Sequence, residues 1–118
     1  MTVDPDRARN LCLSFEGASE APHFHRIAFR TPRKTFATLD PAARDLNLMF
    51  DPELRDFYCE REPAMFAPVA GGWGRMGATR CVLEAVDEAT LMSALLAAYQ
   101  LAQPKSKKAR RSAPSRSD

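Results

Sequence analysis

The sequence has few of the residues that build disulfide frameworks, metal sites or membrane spans. Its 118 residues include three cysteines, Cys12, Cys59 and Cys81, at wide spacings and without a CxxC pair. This odd number and spacing argue against a disulfide framework or a zinc site and favour reduced, buried thiols. No apolar run approaches the roughly 18 residues that cross a bilayer. The first residues carry charges instead of a signal-peptide pattern, so we expect a cytoplasmic protein without membrane contact.

Histidine is also scarce, and the two in the chain, His23 and His25, flank Phe24. Two imidazoles supply two ligands, whereas zinc requires three or four, so we expect neither a bound metal nor a cofactor. The carboxylates stand mostly at helix starts and on helix faces, where capping and solvation account for them. A nucleophile at Cys59 or Cys81 acting with His23 has no support from spacing. The sequence therefore predicts a protein that is not an enzyme.

Glycine is rare except in one short segment that also holds the only tryptophan. Residues 72–77 read GWGRMG, which matches the GxGxxG pattern of dinucleotide sites. That fingerprint requires a strand before it and a helix after it, whereas here a strand is expected to follow. We interpret the segment as a loop in which glycine permits positive φ or close backbone approach. Trp73 either packs over the sheet edge or stays partly exposed to stack, as His23 could, on a ligand or base.

Positive charge is concentrated at the C-terminus. Residues 104–118 hold six basic residues and one acidic residue, a net charge of +5, which leaves 11 basic and 14 acidic residues, a net charge of −3, for residues 1–103. We expect one domain over residues 1–103 and a disordered basic tail over 104–118, because the tail cannot bury apolar surface. The tail cluster consists of Lys105, Lys107, Lys108, Arg110 and Arg111.

Helix and strand patterns alternate along the first 103 residues. Asp4-Pro5 and Asp51-Pro52 place a cap before a helical proline, and Asp87 caps a third helix. Alternating or short apolar runs predict strands at residues 25–31, 34–39, 46–50, 66–69 and 79–86. The buried stripe expected of the last helix is Met92, Leu95, Leu96, Tyr99 and Ala102. The order α-β-β-β-α-β-β-α predicts an α+β fold in two layers, with a mostly antiparallel five-stranded sheet and the helices on one face.

Six short segments resemble the MmcQ/YjbR family. The first half of the similarity lies in Ala21-Pro22-His23-Phe24, Ala28-Phe29-Arg30 and Lys34-Thr35-Phe36-Ala37-Thr38-Leu39. The second half lies in Pro63-x-x-Phe66-x-Pro68, Gly71-Gly72-Trp73-Gly74 and the strand from Thr79 to Leu83. Together they cover about residues 5–104. The sequence departs from the family pattern at Ala78, where many members have tryptophan, and in its basic tail.

The resemblance implies a YjbR-like fold, related in shape to secretion chaperones and frataxin-like domains. It also implies DNA binding through a proposed double-wing motif, so that DNA is the expected partner. The alternative is a protein- or small-ligand-interaction module, because likeness of fold alone does not establish a function. The chain is expected to be a monomer or a homodimer.

The basic residues of the body fall in two regions. The first hairpin carries Arg26, Arg30, Arg33 and Lys34, and the glycine-rich loop and the next strand carry Arg75 and Arg80. If the two regions adjoin, they form a positive stripe that contacts phosphates without sequence specificity. The alternative is a solvated face whose arginines pair with Asp40 and Glu84. The tail similarly either adds affinity through counterion release or serves only solubility.

Overall fold

The computed structural model describes residues 3–103, so the tail predicted at residues 104–118, with its lysines and arginines, lies outside the described residues. The elements follow in this order: α1 (Pro5–Leu13), β1 (Ser19–His23), β2 (Arg26–Arg30), β3 (Thr35–Asp40), β4 (Asp45–Met49), α2 (Pro52–Arg61), β5 (Phe66–Pro68), α3 (Gly72–Arg75), β6 (Ala78–Val82) and α4 (Glu88–Leu101). Within the described part of the chain, no helix has both the length and the apolar character needed to cross a membrane.

The three long helices begin where capping predicts. The caps are Asp4, Asp51 and Asp87, whose carboxylates accept hydrogen bonds from the backbone N–H three residues later at 2.8, 2.9 and 3.0 Å. Pro5 and Pro52 stand at the start of their helices, where a missing N–H has no consequence.

The strands form one antiparallel sheet in the order β1-β2-β3-β4-β6-β5. Its edge strands, β1 and β5, contain Pro22 and Pro68, and an edge is where a strand tolerates proline. One face of the sheet packs against α1, α2 and α4 around a core that includes Phe29, Phe36, Leu39, Leu46, Leu48, Phe66, Leu91 and Leu95. The predicted two-layer α+β class is therefore confirmed.

Three details of the prediction are wrong. The sheet has six strands instead of five. The sequence did not predict β1, because this strand lacks the alternating apolar pattern and is exposed at all but one of its residues. The expected loop after residue 70 contains the helix α3, whose glycines gave no helical signal. The last strand ends at Val82 and not at Val86, because the N–H groups of Ala85 and Val86 bond back to the carbonyl of Val82 in a turn.

Candidate functional site

The face of the sheet opposite the long helices carries a groove of about 450 Å³. Its floor is formed by alternate strand residues that include Arg26, Ala28, Thr38, Asn47 and Ala78, and its sides by Phe50, Val69, Trp73 and Met76. The lining is completed by His23, Lys34, Thr35 and Met49. We call this feature the open-face groove. Ala78, where the sequence departs from the tryptophan of many family members, is a small, buried residue of the floor.

Glycine sets the position of α3 against the sheet, and so the position of Trp73. A Cβ on Gly74 would lie 1.7 Å from the carbonyl oxygen of Val69, and one on Gly77 would lie 2.3 Å from that of Phe50. Gly77 also has φ of +119°. The expected role of these glycines, close approach and positive φ, is confirmed. Trp73 follows the second of its two alternatives: the indole is partly exposed, at 68%, and lines the groove.

Arg55 fixes the other side of α3. Its Nη1 donates to the carbonyl oxygen of Gly74 at 2.8 Å, while its Nε donates to the carboxylate of Asp56 at 2.9 Å. The guanidinium therefore satisfies a carbonyl near the end of this short helix, as basic groups at helix C-termini commonly do. The backbone next to Trp73 is therefore held by Arg55 and by the close packing of Gly74, although the ring is exposed.

Arg26 and Arg80, two of the predicted site residues, converge on one buried carboxylate. Arg26 Nη2 donates to Asp45 Oδ1 at 2.8 Å, and Arg80 Nε donates to Asp45 Oδ2 at 2.8 Å. Arg26 also donates from Nε to Thr38 Oγ1 at 2.8 Å, and its side chain is only 13% exposed. Arg26 is therefore a structural member of the floor. The side chain of Arg80 remains 43% exposed, so part of its guanidinium faces solvent.

The other predicted cations divide into two groups. Lys34 lines the groove, Arg30 is exposed and follows the open-face alternation of β2, and Arg75 is exposed on α3. Among residues 3–103, none of these three forms an ion pair. Arg33 differs, because its Nε donates to the carbonyl oxygen of Gln103 at 3.0 Å. The predicted stripe is therefore brought together only in part.

The turn that holds Arg33 also holds the end of α4. Thr31 Oγ1 donates to the carbonyl oxygen of Ala102 at 2.9 Å, one residue from the Arg33 contact with Gln103. Gln103, the last described residue, thus lies at the turn between β2 and β3. Lys34 is part of that turn. The described part of the chain therefore ends at this turn.

Carboxylates are distributed unevenly between the two faces. Of the 14 acidic residues in residues 1–103, nine lie within α1, α2 and α4 or cap them. On the open face, strand alternation places Asp40 and Asp45, and both lie close to Arg26. The net negative charge of the body is thus concentrated on the helical side, whereas basic residues outnumber acidic ones on the open face.

The chemistry-bearing side chains do not form a metal or thiol centre in the described part of the chain. Residues 3–103 contain no group of three His, Cys, Asp or Glu side chains placed to hold a metal ion. Burial raises the pKa of Cys81 to about 12 and also raises the pKa of Cys59, so both remain thiols at neutral pH. His25 Nε2 lies 3.5 Å from Asp40 Oδ2 and outside the groove lining.

Phe24 at the tip of the β1–β2 hairpin was missed by sequence reasoning. It occupies the two-residue loop between the paired residues His23 and Arg26, has φ of 59°, and is 92% exposed. Positive φ is unusual for a bulky residue, and such strain often marks functional positions. An aromatic residue between two histidines at a strand end was the available signal.

These features define a two-layer α+β protein with one sheet face covered by helices and the other forming a groove. The YjbR family model matches residues 13–101, and the chain belongs to the YjbR family. The crystal structure of Deinococcus radiodurans protein DR2400, described by the family-model domain DUF419, is similar with a TM-score of 0.72 and 20% identity, covering 90% of this chain and 83% of that one. This likeness supports the fold alone. No curated protein matches the sequence.

Proposed function

We propose that this chain is a non-enzymatic DNA-binding protein whose open face contacts the phosphate backbone with weak sequence specificity. The observation that carries the proposal is the segregation of charge: most carboxylates lie on the helical side, whereas Lys34 at the groove and Arg30 on the open face form no ion pair among residues 3–103. A polyanion is attracted to the local potential of the face that it approaches, so a net negative body does not prevent binding.

Three cations of the domain are suited to phosphate contact. Lys34 and Arg30 have no carboxylate partner among residues 3–103, and Arg80 keeps an exposed part of its guanidinium. Arg26 holds Asp45 and also lies 3.8 Å from Asp40 Oδ2, so the two guanidinium groups and two carboxylates of this cluster balance in charge. The net positive charge of the open face therefore comes from Arg30 and Lys34. Phosphate contacts fix a strand in place without reading its sequence.

The basic tail adds to this surface in the proposal. Gln103, the last described residue, lies at the turn that precedes Lys34, and the basic residues of the tail follow it in the sequence. Each phosphate that the tail neutralises adds affinity through counterion release. The three free cysteines fit a reducing compartment, and we propose that the protein works in the cytoplasm.

Fluorescence anisotropy with a labelled duplex at several salt concentrations tests the proposal. We expect the dissociation constant to rise steeply with salt, and the slope to fall by about one for each cation removed in Arg30→Ala and Lys34→Ala. Arg61→Ala is the matched control, because it removes a charge from α2 on the helical side. A chain that ends at Gln103 measures the binding of the domain without the tail. Equal binding by the Lys34→Ala and Arg61→Ala proteins would contradict the proposal for the domain.

A protein- or small-ligand-interaction module is the second candidate, and the exposed apolar side chains favour it. Trp73 and Met76 are 68% and 71% exposed beside the groove. An apolar ligand seated there would bind with little dependence on salt or on Lys34. Binding of a cellular protein that is lost in Trp73→Ala and unchanged in Lys34→Ala would support this candidate over DNA binding.

A further inference from the structure

We infer that the open-face groove takes unpaired bases of a single-stranded segment, which stack on Trp73 while Lys34 contacts an adjacent phosphate. This inference rests on the proposed function, and it specifies the form of nucleic acid that the groove accepts. It assigns separate roles to the aromatic and basic side chains around one groove.

Trp73 in the groove and Phe24 beside it are exposed aromatic side chains that contribute little to the core. Trp73 is 68% exposed, yet the close packing of Gly74 on Val69 and the hydrogen bond from Arg55 hold its helix in place. Phe24, adjacent to the groove residue His23, is 92% exposed on a backbone with positive φ. A fixed, exposed ring beside a cationic rim is the combination that single-strand-binding proteins use, because every base offers a π face.

The shape of the groove distinguishes single strands from duplexes. In a duplex both faces of each base are covered by neighbouring base pairs, so an indole in the side of a groove has no base face to contact. An unpaired base can turn into the groove, whose volume of about 450 Å³ is in the range of pockets that hold drug-sized ligands.

Polar side chains that line the groove can form hydrogen bonds with the edge of a base. Asn47 offers both a donor and an acceptor, and the hydroxyl group of Thr35 offers both as well. Lys34, which also lines the groove, supplies the positive charge that a neighbouring phosphate requires. A planar ring with polar edges and an attached anion therefore complements the groove better than an uncharged apolar ligand does.

The single tryptophan of the sequence makes stacking directly measurable. The full chain is titrated with an oligothymidylate of about 15 nucleotides, with a mixed-sequence duplex of the same length, and with thymidine monophosphate. We expect the oligothymidylate to quench Trp73 fluorescence, the duplex to bind without comparable quenching, and the mononucleotide to bind far more weakly because it lacks neighbouring phosphates.

Substitutions test the same contact by anisotropy with the labelled oligothymidylate. Trp73→Ala is expected to weaken binding roughly 5- to 150-fold, the range that loss of one stacked base produces. Trp73→Phe should recover most of the affinity, because a ring remains. Phe57→Ala is the matched control, since it removes a 47% exposed aromatic ring from α2.

Failure of this inference is distinguishable from failure of the proposed function. Salt-dependent binding of both DNA forms, without quenching and with full affinity in Trp73→Ala, would overturn the inference and leave backbone binding in place. Mononucleotide binding as tight as that of the oligomer would also overturn it, in favour of a small ligand. Absence of binding to every nucleic acid would overturn both and leave the groove to an apolar partner.

Discussion

Arg26 of β2 and Asp45 of β4 form an ion pair across the intervening strand β3, with 2.8 Å between Nη2 and Oδ1. Both side chains are nearly buried, at 13% and 10% exposure, and Asp45 also accepts a hydrogen bond from Arg80. Through Asp45, these side chains join β2, β4 and β6 on the open face. They leave Arg26 nearly buried, whereas the side chain of Arg80 stays 43% exposed.

Replacing Asp45 with alanine removes the nearer carboxylate from the mostly buried guanidinium of Arg26 and leaves Asp40 Oδ2, 3.8 Å from Nη1, as its remaining partner. We expect Asp45→Ala to lower the free energy of unfolding by about 3 kcal/mol, the low end of the range for breaking a buried pair. Urea denaturation measures this change. Glu84→Ala is the control, because the Arg44–Glu84 pair is exposed and 4.0 Å long, so its loss should cost less than about 1 kcal/mol. Equal effects of both substitutions would show that the pair does not stabilise the sheet.

Local signals were sufficient to predict most elements of the fold. Aspartate caps with adjacent prolines marked the starts of α1 and α2, because these residues act on the backbone directly beside them. The face of α4 was predicted less well: Leu91, Ala94 and Ala98 are buried, whereas Leu96 is 44% exposed. This helix is apolar on most sides, so periodicity alone could not select its buried face.

The candidate site depended on relationships that no local pattern contains. The sequence placed Arg26 and Arg80 in two basic regions. Pairing of β4 with β6 brings Arg80 to the carboxylate of Asp45, and the strand order β2-β3-β4 brings Arg26 there across β3. Arg33 was grouped with them by proximity in sequence, whereas its guanidinium bonds to the end of α4. The division between paired and unpaired cations follows from strand order and side-chain reach, which only the folded chain defines.

Stability should fall in acid because three carboxylates have lowered pKa values in the folded state. Hydrogen bonds from Thr90, Arg7 and Arg9 lower the pKa values of Asp87, Glu88 and Glu20, respectively. The unfolded chain then binds more protons in acid, so this contribution is complete above the ordinary pKa values, 4.5 for glutamate and 3.8 for aspartate, and is lost as the pH falls through the lowered values. Urea midpoints at about pH 6 and about pH 3 measure the loss. Asp87→Asn keeps a capping oxygen without titrating, and it should therefore show a smaller decrease than the unmodified chain.

Two glycines of the GxGxxG segment should respond differently to the same substitution. Gly74→Ala would place a Cβ 1.7 Å from the carbonyl oxygen of Val69, so we expect a loss of roughly 1–3 kcal/mol in the free energy of unfolding. Gly72→Ala would meet only the end of the Arg75 side chain at 3.5 Å, and helix propensity should make it neutral or slightly stabilising. Thermal denaturation of the two variants compares them, and a stable Gly74→Ala protein would refute the close-packing role.

The hairpin tip should show opposite effects on stability and binding. Phe24 has φ of 59° and a side chain that is 92% exposed, so its ring contributes little burial while its backbone is strained. Phe24→Gly should relieve the strain and raise the free energy of unfolding by about 0.5–1 kcal/mol, the strain cost less the greater entropy of glycine in the unfolded chain. Phe24→Ala keeps the backbone strain and should change stability little.

The same two variants distinguish the backbone of Phe24 from its ring. If the ring contacts nucleic acid beside the groove, both substitutions should weaken binding of a single-stranded oligonucleotide equally, although only Phe24→Gly gains stability. Anisotropy and urea denaturation on the same preparations measure the two quantities. A Phe24→Gly protein that is less stable than the parent would contradict the strain, and full affinity in both variants would show that the exposed ring has no part in binding. A two-residue hairpin loop itself requires positive φ at its first residue, so the binding measurement, and not the strain, decides whether the ring of Phe24 has a function.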